Sequence, residues 1–372
     1  MSVWVVVGGQ FGSEGKGKIS AIITLQEKIA LCIRCGGPNS GHSFQKPNGE
    51  MVVLRQLPTG FVRPEARLLI PAGGLVDLDV LHSELETLGL GADRVGVDRN
   101  AMVITSEDRE QERRLAMSER LSSTLCGVGS AVARRALRTK DVDLAANAAA
   151  TSHEWLRPFL TDVSAEANSA VDNGKKVLVE GTQGSGLSLY HSAYYPKATS
   201  RDTNAAGFMS EVGLSPRLVS EVILVFRTFP IRVAGAQAGP IHEEITWEQL
   251  QTESRSPVPL HEYTTVTHKL RRVGRFDWDA ARRSVMLNRP TMLALNFVDH
   301  LSFENRASSH WATLSQDART FVHNLEQLGT PVCYLGTGPH LADNIGVGSM
   351  PSCPDLTAAP PALKLSHSEG RP

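Results

Sequence analysis

The stretch Val5-Val6-Val7-Gly8-Gly9-Gln10-Phe11-Gly12-Ser13-Glu14-Gly15-Lys16-Gly17-Lys18 decides the fold. A β-branched run leads here into a loop of five glycines and two lysines, and residues 19–29 have the apolar spacing of a helix. A strand, a glycine loop and a helix in this order cradle a phosphate, because backbone N–H groups and the helix N-terminus both face the anion. Residues 12–18 fit the pattern G-x-x-x-x-G-K, but Ile19 stands where a P-loop has the Ser or Thr that binds Mg²⁺. The motif alone leaves a glycine-rich turn without a ligand as the alternative.

The composition is that of a globular protein with a large core. The chain has 372 residues, of which 41% are hydrophobic and 21% are charged, so either one large α/β domain with insertions or two domains would fit. A net charge of −1 provides no basic field for duplex nucleic acid, which predicts a small-molecule nucleotide as ligand and no nucleic acid partner.

No sequence signal for a membrane span or a secretory leader is present. The chain contains no run of 18 apolar residues and does not begin with a basic segment followed by an apolar one. Five cysteines are few and odd in number, which favours a reducing compartment, and we expect a cytoplasmic location with no membrane partner. Cys32 and Cys35 form a single C-x-x-C with no second pair at zinc spacing, which favours ordinary strand residues over a metal or redox site.

Two further strands also end in polar glycine loops. Residues 30–35 run into Gly36-Gly37-Pro38-Asn39-Ser40-Gly41-His42, and residues 176–180 run into Gly181-Thr182-Gln183-Gly184-Ser185-Gly186. Predicted helices cover 79–88, 131–138 and 144–170, and residues 264–275 form a basic loop. This alternation predicts an α/β fold with a mostly parallel central sheet flanked by helices, in which ligands bind beyond the carboxyl ends of the strands. We expect residues 1–345 to form a single catalytic domain, and the Pro-, Ser- and Ala-rich residues 346–372 to form a mobile tail.

Six motifs in order resemble one family, the adenylosuccinate synthetases. They are residues 10–18, residues 36–42, Glu180-Gly181-Thr182-Gln183-Gly184, Tyr195-Pro196-Lys197-Ala198-Thr199-Ser200, Lys269-Leu270-Arg271-Arg272-Val273-Gly274 and Thr337-Gly338-Pro339. The resemblance covers nearly the whole chain. It implies the family's P-loop-like fold, a homodimer, and a ligase that uses Mg²⁺ and a nucleoside triphosphate to join L-aspartate to the 6-position of a purine nucleotide through a 6-phosphoryl intermediate.

The family's site residues carry over by position. The catalytic positions are Ser13, Lys16 and the general acid His42. The donor nucleotide would be held by Gly12, Glu14, Gly15, Lys16, Gly17, Lys18, Asn296, Thr337, Gly338 and Pro339. The acceptor nucleotide would be held by Ser13, Asn39, Thr124, Gln183, Thr199, Val233 and by Arg134, which would reach into the neighbouring subunit's site. Aspartate would be bound by Thr267, Lys269, where the family usually has Arg, and Arg271, and Mg²⁺ by Ser13 and the carbonyl of Gly41.

Ser13 is the first departure from the family, which has Asp at this position. That carboxylate takes the proton from purine N1 and binds Mg²⁺, and serine is neither a comparable base at neutral pH nor an equally strong ligand. Serine is also smaller, so a purine with a 2-amino group beside N1 has room and can donate a hydrogen bond to its oxygen. A phage subgroup of the family shows this change and converts dGMP and aspartate into 2-amino-2′-deoxy-N6-succinyladenylate, a precursor of 2-aminoadenine in DNA. The chain resembles that subgroup, which implies a phage-encoded enzyme in the host cytoplasm.

Asn296 is the second departure, at the position aligned with the Asp that reads guanine in GTP. An amide donates and accepts, which suits the edge of adenine and predicts ATP or dATP as the donor. The alternatives are an ordinary adenylosuccinate synthetase acting on IMP with GTP, and a catalytically inactive nucleotide-binding homologue.

Overall fold

The computed structural model describes residues 2–46, 48–138, 143–264 and 268–346. A ten-stranded sheet runs through it in the order β17-β16-β15-β11-β1-β10-β2-β5-β7-β9. Every pairing in this sheet is parallel except that of β16 with β17. The strands are β1 Val3–Gly8, β2 Leu31–Arg34, β3 His42–Gln45, β4 Met51–Leu54, β5 Arg67–Ile70, β6 Leu75–Val76, β7 Val95–Asp98, β8 Met102–Val103, β9 Leu160–Thr161, β10 Val177–Glu180, β11 Val219–Arg227, β12 Ile231–Arg232, β13 Glu244–Ile245, β14 Arg272–Gly274, β15 Met292–Asn296, β16 Val332–Gly336 and β17 Asn344–Ile345.

Helices cover both faces of the sheet. They are α1 Lys16–Gln26, α2 Leu78–Leu88, α3 Ser106–Arg114, α4 Met117–Leu121, α5 Val128–Leu137, α6 Ala145–Thr151, α7 Val163–Asp172, α8 Ala205–Val212, α9 Trp247–Ser254, α10 Trp278–Asn288 and α11 Gln316–Glu326. The predicted fold class, α/β with a mostly parallel sheet, is therefore confirmed.

The central strand β1 shows why the sheet is covered on both sides. Every residue of β1 is buried, and its side chains alternate between two cores. Trp4 and Val6 pack with Ile19 and Ile23 of α1 on one face, whereas Val3, Val5 and Val7 pack on the other face. A strand with both faces buried reads as a continuous β-branched run, which is the pattern at residues 5–7.

The parallel arrangement brings the glycine loops to one edge. In register, Val6 lies beside Glu180, and Glu180 lies beside Arg34, at the carboxyl ends of β1, β10 and β2. The loops that follow these strands therefore meet at the same edge, where open α/β sheets bind their ligands.

Two predicted helices differ from the structure. Helix α1 begins at Lys16 rather than at residue 19, because Gly15, with φ 85°, is the N-cap and the loop turns directly into the helix. The predicted helix over 144–170 is wrong: α6 ends at Thr151, a 3-10 turn over Glu154–Phe159 and the short β9 follow, and α7 begins at Val163. Pro158 lies in that turn, and Asp162 caps α7 by accepting from Ala165 N. A proline and a new N-cap stop the helix despite its helix-favouring composition.

None of the helices in the described ranges is both long and apolar enough to cross a membrane. The single domain over residues 1–345 stays a prediction, and residues 347–372 of the predicted tail lie outside the described part of the chain.

Candidate active site

The glycine loop is organised by the carboxylate of Glu14, which faces into the protein. Glu14 is fully buried, and its Oε1 accepts hydrogen bonds from Gln10 N at 3.0 Å and Gly12 N at 2.8 Å. Its Oε2 accepts from Lys16 Nζ at 2.5 Å. The N–H groups of Gln10 and Gly12 are therefore used within the loop, which leaves the N-terminal turn of α1, beginning at Lys16, to face a phosphate.

Lys16 and Lys18, in the first turn of α1, bond to different parts of the protein. Lys16 is 2% exposed and pairs with Glu14 against the end of β1. Lys18 Nζ donates to the carbonyls of Gly338, at 2.7 Å, and Asp343, at 2.6 Å, and burial lowers its pKa to about 8. This ammonium thus joins the first glycine loop to the segment Thr337–Pro339, so the structure brings together two parts of the predicted donor site.

His42, the first residue of β3, and Glu180, at the carboxyl end of β10, form a buried pair. His42 Nδ1 forms a short hydrogen bond with Glu180 Oε1, and His42 Nε2 is buried without a hydrogen-bond partner in the described residues. The absence of a side chain at Gly17 allows helix α1 to pack closely against His42, because a Cβ there would lie 2.6 Å from His42 Cβ. The histidine is therefore oriented through one nitrogen, while the other is left for a ligand.

The surroundings of this pair set its ionisation. Burial lowers the pKa of His42 to about 4, with Arg34 acting in the same direction and Glu180 against it. Burial opposes the charge on Glu180 too, but His42, Arg34 and Thr59 outweigh that effect, so the pKa of Glu180 is held below its usual value. Arg34 Nη1 donates to Oε1 at 3.0 Å, and Thr59 donates to Oε2 from both N and Oγ1. Glu180 is a charged group that can stabilise an imidazolium when a ligand brings a second anion to His42.

Ser13 lies on the wall of the main cleft in a left-handed backbone conformation, with φ 59°. Its carbonyl accepts a hydrogen bond from Arg227 Nη1 at 3.0 Å. The backbone of Ser13 is thus fixed by Arg227 at a position that lines the cleft.

Nine of the predicted residues line this one cleft. They are Gly12, Ser13, Asn39, Gly41, Thr124, Gln183, Thr199, Val233 and Arg271. The set includes every residue predicted to bind the acceptor nucleotide except Arg134. It also includes Arg271, which is predicted to bind the substrate aspartate, and both predicted metal ligands. The clustering is consistent with those roles, which remain predictions.

Asn296 holds the glycine loop through one amide atom, and its predicted role of reading the donor base stays a prediction. Its Nδ2 donates to the carbonyl of Glu14 at 2.7 Å, and its side chain is wedged between two glycines. A Cβ on Gly15 would lie 2.5 Å from Nδ2, and one on Gly336 would lie 2.0 Å from Oδ1. The bond to Glu14 uses one of the two Nδ2 hydrogens, and Oδ1 is buried without a hydrogen-bond partner in the described residues. Asn296 thus braces the glycine loop from below while part of its amide is left for a ligand.

Arg134 does not line the cleft of its own chain, and its predicted reach into a neighbouring subunit's site stays a prediction. Its guanidinium is held within its own chain, with Nε 3.0 Å and Nη2 2.7 Å from the two carboxylate oxygens of Asp108, and Nη2 also donates to the carbonyl of Val103. The side chain would have to leave a two-point carboxylate contact to reach a neighbouring site. Arg138, which caps the same helix, is exposed and forms no ion pair with any described residue.

The structure brings the residues predicted to bind the substrate aspartate only partly together. Arg271 lines the cleft, where burial lowers its pKa and Glu262 acts against that effect. Lys269 is exposed and is tied to Thr264 through two hydrogen bonds of its backbone. Thr267 lies outside the described residues.

The oxygen donors fit a magnesium ion shared with phosphates. Ser13 and Gly41 line the same cleft and offer a hydroxyl and a carbonyl, which are hard neutral ligands. No group of three His, Cys, Asp or Glu side chains suited to a metal occurs in the described residues. The chain's donors therefore suit Mg²⁺, which commonly takes one or two protein ligands plus phosphate oxygens.

Sequence reasoning missed three charged residues of the site. Glu180 could have been found, because it is an acid at the end of a buried strand just before a polar glycine loop. Arg232 lines the cleft with its guanidinium 4.2 Å from the centre of the Phe11 ring, and Arg227 contacts Ser13 from behind. No local sequence pattern marks these two arginines, because only the packing of β11 and β12 places them.

A phosphate loop at the edge of a parallel sheet and a buried histidine–glutamate pair beside a polar cleft define the class of protein: an α/β enzyme that acts on nucleotides. The comparisons narrow this class. The family model described as "Adenylosuccinate synthetase" matches residues 5–143 and 135–306. The chain is 41% identical over 350 residues to the adenylosuccinate synthetase of Methanosphaera stadtmanae, covering 93% of this chain and 98% of that one. It is 42% identical over 348 residues to that of Thermococcus sibiricus, covering 92% and 97%. The chain belongs to the adenylosuccinate synthetase family, and it is a C–N ligase that joins aspartate to a purine nucleotide.

Solved structures show the same fold. The fully ligated adenylosuccinate synthetase from Plasmodium falciparum superposes with a TM-score of 0.81 at 21% identity, covering 93% of this chain and all of that one. The succinoaminodeoxyadenylate synthetase (PurZ) of cyanophage S-2L, bound to dGMP and to dATP as an energy donor, superposes with a TM-score of 0.80 at 26% identity, covering 93% and 95%.

Proposed function

We propose that the chain joins L-aspartate to C6 of dGMP, with ATP or dATP as phosphoryl donor, and gives 2-amino-2′-deoxy-N6-succinyladenylate for 2-aminoadenine DNA synthesis. Ser13 is the observation that carries this proposal. It stands where the family has Asp, and it lines the same cleft as Asn39 and Gln183.

Ser13 acts on substrate fit rather than on proton removal. A hydroxyl is smaller than a carboxylate and accepts a hydrogen bond from a 2-amino group, whereas it is no base at neutral pH. The fixed backbone of Ser13 means that the pocket cannot simply shift to accept a longer side chain at this position. The resemblance to PurZ, whose structure holds dGMP, supports the same acceptor.

The remaining residues suit phosphoryl transfer to the purine 6-oxygen. His42 Nε2 is the buried, unpartnered nitrogen that would steady this oxygen, and Glu180 would balance the imidazolium charge. The backbone at the start of α1 and Lys16 would hold the donor's phosphates. Mg²⁺, held by Ser13, Gly41 and phosphate oxygens, would neutralise charge on the transferring group. Arg271 would bind a carboxylate of aspartate.

Two observations support an adenine donor. Asn296 keeps an unpartnered Oδ1 under the glycine loop among the described residues, and the PurZ neighbour holds dATP. Asp299 favours a second candidate, GTP. Its carboxylate is buried beside Arg306, at 2.9 Å, and close enough to Lys18 to influence that residue's pKa. A carboxylate in this corner could accept from guanine N1–H and N2–H. An ordinary synthetase that uses IMP and GTP is therefore the second candidate function.

A matrix of substrates tests the proposal. Purified enzyme, aspartate and Mg²⁺ are combined with IMP, GMP or dGMP and with GTP, ATP or dATP, and the succinylated product and nucleoside diphosphate are measured. We expect turnover with dGMP and an adenine donor. Preference for IMP with GTP would establish the ordinary synthetase, and nucleotide binding without product in every arm would establish an inactive homologue.

Variants at residue 13 test whether Ser13 determines the preference for dGMP. Ser13→Asp should lower kcat/KM for dGMP by about tenfold or more, the size expected of a group that no longer fits a pocket, and should raise it for IMP. Ser13→Asn is the matched control, because it adds the same bulk without charge. Equal dGMP turnover in wild type and Ser13→Asp would contradict the steric argument.

A homodimer is part of the proposal. Arg138, exposed at the end of α5, forms no ion pair with the residues that the structure describes, whereas Arg134 would have to leave Asp108 to reach a neighbour. Sedimentation gives the assembly state. Mixing an inactive His42→Asn subunit with an inactive Arg138→Ala subunit should restore activity if Arg138 acts in the partner's site, and the same mixture with Arg134→Ala distinguishes the two arginines.

A further inference from the structure

Arg227 connects two parts of the cleft that the chain order keeps apart. It lies at the end of β11 and is fully buried. Its Nη1 donates to the carbonyl of Ser13 at 3.0 Å and to Glu262 Oε2 at 3.2 Å, and its Nη2 forms a short ion pair with Glu262 Oε1. One guanidinium therefore bonds both to the glycine loop and to the segment that precedes the basic loop.

The backbone of Arg227 is fixed to the same glycine loop. Gln10 Oε1 accepts from Arg227 N, and Gln10 Nε2 donates to the carbonyl of Arg227, both at 3.0 Å. The guanidinium also stacks on Phe297, with its carbon 3.9 Å from the ring centre. These contacts leave the arginine little freedom, so Ser13 is held by a rigid donor.

Glu262 faces the aspartate side of the cleft. Its carbonyl accepts from Arg271 N at 2.8 Å, and its carboxylate interacts with both Arg227 and Arg271. Burial alone would raise the pKa of Glu262, but Arg227 outweighs it, so the carboxylate is charged. Glu262 thus lies between the arginine that holds Ser13 and the arginine that lines the cleft.

We propose that Arg227 is a positioning residue for acceptor specificity: it fixes the left-handed backbone of Ser13, and Glu262 links that position to the aspartate site. A non-glycine residue at φ 59° is strained and needs outside support. Without the Arg227 bond, Ser13 can relax, and the pocket loses its fit to the 2-amino group. This inference rests on the proposed preference for a guanine acceptor.

The experiment measures discrimination rather than activity. For wild type and Arg227→Met, kcat/KM is measured with dGMP and with dIMP, which differ only in the 2-amino group. We expect the dGMP/dIMP ratio to fall by about tenfold in the variant, since one lost pocket contact commonly costs that much. A general loss of folded enzyme lowers both values equally and leaves the ratio unchanged.

Two further variants keep the test decisive. Arg227→Met leaves Glu262 buried and unpaired, so Arg227→Met/Glu262→Leu removes both charges and protects the fold. Arg67→Met is the control, because it breaks the ion pair with Glu166 at the far side of the sheet and should leave the ratio unchanged. Glu262→Gln alone should raise KM for aspartate and lower the ratio together.

The outcomes separate the two proposals. A wild-type enzyme that does not prefer dGMP over dIMP overturns the proposed function itself. A wild-type enzyme with that preference, and an Arg227→Met/Glu262→Leu enzyme that keeps the same ratio, overturn the positioning role of Arg227.

Discussion

The two sides of the cleft are built differently. On the phosphate side, Glu14, Lys16, His42 and Glu180 are buried and bonded to one another or to the backbone. On the aspartate side, Lys269 is exposed, Arg271 is only partly buried, and residues 265–267 lie outside the description. The first side is held together by its own ion pairs and leaves His42 Nε2 without a partner among the described residues, whereas the cations of the second side are less buried. Substitutions on the first side should therefore reduce the chemical step, and those on the second side should reduce affinity for aspartate.

The largest effect should come from His42. His42→Asn should lower kcat by about 10²–10⁴-fold, the usual contribution of a positioned acid or base, with little change in KM for aspartate. Glu180→Gln should lower kcat less, because the imidazole stays but loses its charged partner.

Thr59→Val is the control for this pair. It removes one hydroxyl donor from the same carboxylate and leaves the histidine bond in place. Rapid-quench turnover and thermal midpoints are measured for all three variants. A His42→Asn enzyme within tenfold of wild type would show that the phosphate side does not carry the chemistry.

Arg271 should give the next largest effect, on KM for aspartate rather than on kcat. Arg271→Ala should raise KM for aspartate by about 10–100-fold, as expected for a hydrogen bond between charged groups, while KM for the nucleotides changes little. Lys269→Ala should have a smaller effect, because an exposed ammonium is screened by solvent. Arg275→Ala, which breaks an exposed pair with Glu253, is the control. An Arg271→Ala defect confined to kcat would remove the distinction between the two sides.

Acid should destabilise the protein through its buried histidines. His42 and His300 have pKa values of about 4 in the fold, chiefly because both are buried, against 6.5 when unfolded. The unfolded chain therefore binds more protons between these values, and stability present above pH 6.5 is lost as the pH falls toward 4. Each histidine contributes up to about 1.4 kcal/mol per pH unit in this window.

Denaturant unfolding from pH 7 to pH 4 measures this loss. His300→Asn removes one of the two buried imidazoles, leaves His42 in place and should flatten the slope. An unchanged slope would show that His300 is not kept neutral by the fold.

The smallest effect should come from Asn296. Asn296→Ala removes the brace on Glu14 O and should lower the free energy of unfolding by about 1–2 kcal/mol. The ratio of activity with ATP to activity with GTP should fall in this variant, because the amide that would read adenine is lost. A constant ratio would show that Asn296 is only a brace, and a switch in Asp299→Asn alone would place base reading at Asp299.

The sequence predicted the phosphate side better than the aspartate side for a physical reason. The strand at residues 5–7, the glycines after it and the helix that follows interact locally, so their order along the chain reveals their geometry. Cross-chain contacts escape such reading: Arg227 meets Ser13 across 214 positions. Asn296 and Arg134 were assigned by alignment, and the structure shows that their partners are Glu14 and Asp108.

The bounds of the helices were also harder to predict than the class of the sheet. The start of α1 at Lys16 and the break at Pro158 depend on single residues, which an average over composition hides. The sheet class depends on many residues at once and was predictable. The single domain, the site roles and the dimer remain predictions.

The inward carboxylate of Glu14 has a consequence for how such enzymes diversify. The loop contains its own anion, so its shape does not depend on which side chain stands at position 13 or on a nucleotide being present. Glu14 thereby maintains the shape of the loop, and the neighbouring residue 13 is proposed to set its selectivity. Residue 13 can then be substituted while the loop keeps its shape. A single codon beside an unchanged scaffold is then enough to explore a new nucleobase.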